Sequence, residues 1–268
     1  MKIEIENLEH VYSNGVKALV GIDLTIDGIE PLAIIGQNGA GKTTLVKHLN
    51  GILQPTGGRV LLGGVDVRSK PIWEWATTVG YVFQNPDDQL FASSVEDELT
   101  FGPRQIGMSR ERIAQQIARV SELVGLSKKL NTHPYDLSPA ERKFCTIGSV
   151  LMMNPKVVVF DEPTCGQDAL GNWRLKEIIH SLNSEGTLCI TISHDMKFVA
   201  ENFERVIVMK QGSILTCGTA VDVFAQPDLL HQSFVFPPPV TRVAQAAGMR
   251  TTPLTVLELI DDVKKERK

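Results

Sequence analysis

The chain has 268 residues, 43% hydrophobic and 22% charged, which is enough to bury a full core and ordinary for a soluble globular protein. Its net charge of −4 at pH 7 gives no basic surface for wrapping nucleic acid. Its longest apolar stretches, such as Phe144 to Met153, fall far short of the ~20 residues that cross a bilayer.

The N-terminus, Met1-Lys2-Ile3-Glu4-Ile5-Glu6, alternates apolar and charged residues as a strand does, not as a signal peptide. Strands are expected over residues 3–8, 20–26, 32–35, 59–62 and 79–83. The third of them runs into Gly36-Gln37-Asn38-Gly39-Ala40-Gly41-Lys42-Thr43, and a helix is expected from Thr44 to Leu49. Strand, G-x-x-x-x-G-K-[ST] and helix in that order form the context of a phosphate-binding P-loop. The glycines let backbone N–H groups wrap a phosphate, and the helix N-terminus adds positive potential. Lys42 would then reach the outer phosphates, and Thr43 would offer its hydroxyl to a magnesium ion.

From about Ser94 to Val124 the pattern turns helical, with Ser109 as an N-cap and Ile113, Ile117, Val120 and Val124 on one face. A second helix follows Ser138. Short β-branched runs at 157–160 and 187–192 flank a helical stretch from Asp168 to Leu182. Buried strands alternating with helices indicate a parallel α/β sheet, interrupted at about 85–150 by an inserted helical subdomain. Strands at 205–209 and 213–215, joined at Gln211-Gly212, close as a hairpin. The tail from Pro227 carries Pro237-Pro238-Pro239 as a stiff linker, then short helices at 240–247 and 254–263 and a solvated end from Lys264 to Lys268. Cys145, Cys165, Cys189 and Cys217 form no C-x-x-C pair, which reads as buried or half-buried free thiols in a reducing cytoplasm.

A P-loop needs carboxylates nearby. Asp161 and Glu162 follow the 157–160 strand, where strand ends face the phosphate edge of such a sheet. Asp161 is expected to support the metal through its water shell, and Glu162 to orient or deprotonate the attacking water. Gln84 closes the 79–83 strand with a carboxamide able to ligate magnesium. His194, after the 187–192 strand, stands where a neutral imidazole reaches a γ-phosphate.

The order Walker A (Gly36 to Thr43), Gln84, helical insert, Leu137-Ser138, Walker B (Val157 to Glu162), Asp168 and His194 resembles the ABC-type ATPases over about residues 2–225. That resemblance implies an α/β P-loop NTPase core with an N-terminal antiparallel β subdomain, an inserted α-helical subdomain and a small C-terminal helical extension. It divides the chain into a nucleotide-binding domain, 1–226, and an extension, 227–268, for dimerisation. It implies that Tyr12 stacks on adenine, that Gly36 to Thr44 bind ATP, and that Gln84 is the Q-loop residue. It likewise makes Asp168 the D-loop carboxylate, His194 the switch histidine and Ser138 the signature serine that meets nucleotide. Gln84 to Phe91, Val95 to Glu98 and Pro238 to Arg242 are similar to the ATPases of energy-coupling-factor (ECF) transporters, including cobalt-type importers. Those proteins take up vitamins, vitamin precursors or metal ions through membrane partners, so a peripheral place on the cytoplasmic face is expected. Asp87, Asp88, Glu96, Asp97 and Glu98 would form an acidic rim for a basic coupling helix of a transmembrane subunit, beside a substrate-binding membrane subunit.

The pattern breaks at one place. ABC ATPases work as head-to-tail dimers whose signature is normally Leu-Ser-Gly-Gly-Gln; here it is Leu137-Ser138-Pro139-Ala140-Glu141. Pro139 lacks an N–H, Ala140 adds a Cβ, and Glu141 puts a negative charge where a neutral amide belongs. Aimed at nucleotide, that charge would cost ~1–3 kcal/mol. As helix chemistry the same residues are favourable: Ser138 caps, Pro139 opens and Glu141 completes a capping box. Phe144 stands where relatives carry a basic residue, and the D-loop reads Cys165-Gly166-Gln167-Asp168. The expected assembly is therefore a heterodimer with a second ABC ATPase subunit, binding ATP and Mg2+. Two alternatives stay open: a soluble ABC ATPase outside transport, and a mainly regulatory nucleotide-binding subunit.

Overall fold

The computed structural model describes residues 1–266. Four strands make the N-terminal antiparallel sheet: β1 (Ile3–Val11), β2 (Lys17–Ile26), and, after the central strand β3 (Leu32–Ile35) and helix α1 (Lys42–Lys47), β4 (Gly57–Leu62) and β5 (Val65–Asp66). Their order is β2-β1-β4-β5. A short helix α2 (Ile72–Trp75) leads to β6 (Val79–Val82), and then come α3 (Val95–Gln105), α4 (Arg110–Leu123) and α5 (Pro139–Leu151). The chain returns through β7 (Val157–Asp161), α6 (Ala169–Ser184), β8 (Leu188–Ile192), α7 (Met196–Asn202), β9 (Arg205–Lys210) and β10 (Ser213–Thr219). The second sheet has the order β10-β9-β3-β8-β7-β6, parallel throughout except for the β9–β10 hairpin.

The unbroken apolar strands follow from their position. β7 packs Val157 and Val159 against the antiparallel sheet, while Val158 and Phe160 join the helical side. Both faces are thus core, so a period of two carries apolar residues at every position. The face toward the N-terminal sheet also buries Leu45 and Val46 of α1, which anchors the P-loop helix between the sheets. The other face holds α3, α5 and α6 through Leu99, Ile147 and Ile178.

The tail differs from a free linker. Helices α8 (Ala220–Phe224), α9 (Pro227–His231), α10 (Pro239–Ala246) and α11 (Val256–Glu266) follow β10, and Leu230, Val235, Ala244 and Leu254 join the main helical-side core. Pro237 and Pro238 are buried, and Pro239 opens α10 as its first residue. Pro at that position gives up an N–H that a helix leaves unused, so the triplet serves as a helix start. The expected strand over 79–83 stops at Val82, and β9 and β10 run longer than the expected hairpin arms. Arg267 and Lys268 lie outside the described residues.

Candidate active site

Four parallel strands end at one edge of the sheet, and each leads there into residues expected to form the site. β3 leads into the P-loop, β6 into Gln84, β7 into Asp161 and Glu162, and β8 into His194. An open cleft of about 560 Å3 is lined by Tyr12, Asn38, Gly39, Ala40, Gly41, Lys42, Thr43, Thr44, Gln84, Glu162 and His194. Asp161 is buried against Thr43.

The loop itself requires its glycines. Gly36 has φ 145°, and a Cβ there would lie 2.3 Å from the Met209 carbonyl oxygen. Gly41 has φ 99°, and a Cβ would lie 2.6 Å from the carbonyl oxygen of Ala18. Lys42 Nζ donates to the carbonyls of Gly36 (2.8 Å) and Gln37 (3.0 Å), which holds the amine across the loop. Burial lowers the Lys42 pKa against the opposing pull of Glu162 and Asp161. Tyr12 is linked to Thr44 through their hydroxyls at 3.0 Å, and its ring meets His10 edge-on with centroids 4.6 Å apart.

The carboxylates are differently placed. Asp161 Oδ1 accepts from Thr43 Oγ1 at 3.3 Å, while Oδ2 accepts from the Tyr81 hydroxyl at 2.6 Å. Glu162 adopts φ 49°, a left-handed conformation that a non-glycine residue holds only when its surroundings enforce it. Its N–H donates to Ile192 O at 3.0 Å, and its Oε2 accepts the backbone N–H of His194 at 3.2 Å. Burial pushes the Glu162 carboxyl up to about 7, against the opposing influence of Lys42 and His194 N–H. A carboxylate of that basicity at a phosphate cleft is suited to take a proton from water. His194 Nε2 lies 3.0 Å from Glu162 Oε1 and 3.3 Å from Lys42 Nζ, so its tautomer decides which one it engages. Burial, then Lys42, lowers the His194 pKa and favours the neutral ring.

The family described as ABC transporter matches residues 19–165, more than half of the chain. The chain belongs to the ABC transporter family. It is an ATPase of this type. An energy-coupling factor transporter ATP-binding protein EcfA of Methanoculleus marisnigri is 36% identical over 264 residues, 98% of this chain and 95% of that protein. An ABC transporter ATP-binding protein of Caldanaerobacter subterraneus is 39% identical over 263 residues; the chain spans only 46% of that protein's length. The solved structure of CbiO1 from Clostridium perfringens, described as part of the ABC transporter complex CbiONQ, superposes with TM-score 0.78. That pair is 31% identical over 92% of this chain and 98% of the other.

Two of the expected ABC site residues lie outside the cleft and cap helices. Asp168 accepts from Gly171 N at 2.7 Å as the N-cap of α6. Ser138 caps α5: its Oγ accepts from Glu141 N, and Glu141 Oε2 accepts from Ser138 N at 3.1 Å. Glu141 is not a free charge aimed outward. Its other oxygen pairs with Lys129, which, followed by the Ser138 groups, holds its carboxyl below the usual range. Phe144 is buried under the Arg174 guanidinium, whose carbon lies 5.6 Å from the ring centre.

The acidic rim also needs correction. Glu98 is 3% exposed and accepts the N–H groups of Phe91 (3.0 Å) and Ala92 (2.9 Å), so it pins the loop from inside. Asp87 pairs with Arg142, and Asp97 with Arg104. Glu98 also lines an apolar groove of about 530 Å3 that includes Ile72, Phe83, Phe91, Phe101 and Met153. Among the cysteines, Cys145 and Cys189 are buried as expected, but Cys165 and Cys217 are exposed.

Sequence reasoning missed Tyr81 and Lys143. Lys143 is 2% exposed, and its Nζ donates to the carbonyls of Phe83 and Gln84. A lysine entering the apolar run at Phe144 and a tyrosine in the run that ends at Gln84 were the available signals.

Proposed function

We propose that this chain is the ATP-hydrolysing subunit of a membrane importer of the ECF kind, moving a vitamin, a vitamin precursor or a metal ion. It works as one half of an ATPase heterodimer, peripheral on the cytoplasmic face. The observation that carries the catalytic part is the meeting of Lys42, Thr43, Glu162 and His194 at one cleft, with Asp161 behind Thr43. Lys42 neutralises the outer phosphates, Glu162 takes the proton of the attacking water, and neutral His194 donates to the γ-phosphate.

The donor set fits Mg2+. Thr43, Asp161 and Gln84 offer hard oxygens only, and among the described residues no cluster of three or more His, Cys, Asp or Glu side chains makes a metal cage of its own. The ion would neutralise developing phosphate charge, with the nucleotide supplying the remaining ligands.

The heterodimer rests on the state of the signature. Ser138 N–H and Oγ are both engaged by Glu141, and Pro139 has no N–H to offer. A signature closed on itself leaves the opposite ATP poorly held, so an intact one must come from another chain. The apolar groove at Phe91 and Phe101 suits the apolar face of a coupling helix from a transmembrane subunit, which would sit near Gln84 to Glu98. On α11, the exposed Val256, Leu257 and Ile260 suit the dimerisation role assigned to residues 227–268.

Glu162→Gln tests the catalytic assignment. It keeps ATP binding, lowers turnover by about 10²-fold or more and traps the closed dimer. Unchanged turnover removes Glu162 from the base role.

A further inference from the structure

We infer that Tyr81 is a positioning residue for the magnesium carboxylate, fixing Asp161 through its hydroxyl so that Oδ1 faces Thr43. The inference rests on the reading of Asp161 as a metal-supporting group.

The geometry begins with strand register. β6 and β7 are parallel neighbours in which Tyr81 pairs with Val159, and Asp161 lies two residues farther along β7. Positions two apart share a face, so the Tyr81 ring lies diagonally beside Asp161 and reaches it with its tip. The hydroxyl donates to Oδ2 at 2.6 Å, the short distance of a hydrogen bond to an ionised acceptor. The ring is itself fixed: it is 6% exposed and meets Phe83 edge-on, with centroids 5.0 Å apart at 70°.

The consequence is a division of labour between the two oxygens. With Oδ2 held by Tyr81, the carboxylate cannot turn freely about its Cβ–Cγ bond, and Oδ1 stays 3.3 Å from Thr43 Oγ1. Thr43 Oγ1 and Oδ1 would thereby be held together as the groups that support the ion, directly or through its water shell. Outer groups that orient a ligating carboxylate contribute 10–100-fold to metal affinity in other sites. Tyr81 is also three residues from Gln84, so one strand sets both the carboxamide and the carboxylate of the metal site.

The test is a double-mutant cycle on the purified chain, with Tyr81→Phe, Asp161→Asn and the double variant. Mn2+ affinity in the presence of ADP is read by electron paramagnetic resonance, and binding of a fluorescent ATP analogue is read in EDTA. Tyr81→Phe should weaken Mn2+ about tenfold. It should leave metal-free nucleotide affinity within twofold, and add nothing further in the Asp161→Asn background. Loss of Mn2+ affinity in Asp161→Asn but not in Tyr81→Phe overturns the role of Tyr81 alone. Equal Mn2+ affinity in Asp161→Asn and the wild type overturns the metal reading of Asp161 and the inference with it. An equal fall in metal-free nucleotide binding, or additive effects in the double variant, shows a general structural role and also overturns it.

Discussion

At the residue scale, His48 shows how a buried polar contact becomes a measurable pH effect. Its Nδ1 lies 2.7 Å from Thr44 O, and its Nε2 3.1 Å from His10 Nδ1, so a second proton would have to enter against another ring. Burial depresses the His48 pKa from 6.5 to about 4. The unfolded chain therefore binds a proton that the folded chain refuses, and stability falls as pH drops from 6.5 toward 4. The loss is at most about 3 kcal/mol. Denaturant unfolding of wild type and His48→Gln should show this as an extra pH dependence present only in the wild type; parallel curves would contradict it. The P-loop was legible because its chemistry is local: Gly36, Gly41, Lys42 and Thr43 lie within eight consecutive residues. Tyr81 and Lys143 were not, because their partners Asp161 and Gln84 reach them only through strand register and helix packing.

At the scale of elements, helix starts were the most readable feature. Ser109 and Ser138 each cap the helix expected of them, since the cap and its target N–H lie three residues apart, and Asp168, expected to open its helix, caps it in the same way. The acidic run after Gln84 was misread for the opposite reason. Charge alone does not say which carboxylate turns inward, and Glu98 does so because Phe91 and Ala92 present two N–H groups that the loop leaves unpaired. Glu98→Ala strands those donors and should lower stability by about 1–3 kcal/mol. Amide exchange should quicken across 86–94 while the P-loop helix keeps its protection. Unchanged exchange there would show that the loop is held by other contacts.

At the scale of the whole molecule, the two segments proposed to meet nucleotide are in opposite states. The sheet edge assembles Lys42, Thr43, Asp161 and Glu162 around one cleft, whereas Ser138 is folded back on Glu141, which in turn pairs with Lys129. The alternating α/β pattern made the sheet legible, and both faces of β7 explain why. The C-terminal segment was harder to read because its packing against the core joins residues far apart in sequence, as Gln245 does in donating to Phe224 O at 3.0 Å. The pairing of a sound P-loop with a closed signature is most directly tested by ATP turnover of the purified chain alone, compared with the complex recovered from membranes with its partner subunits. The chain alone should bind ATP yet hydrolyse it near background, and the complex should turn over at a rate that Glu162→Gln in this chain abolishes. Hydrolysis by the chain alone at a normal transporter rate would contradict the heterodimer.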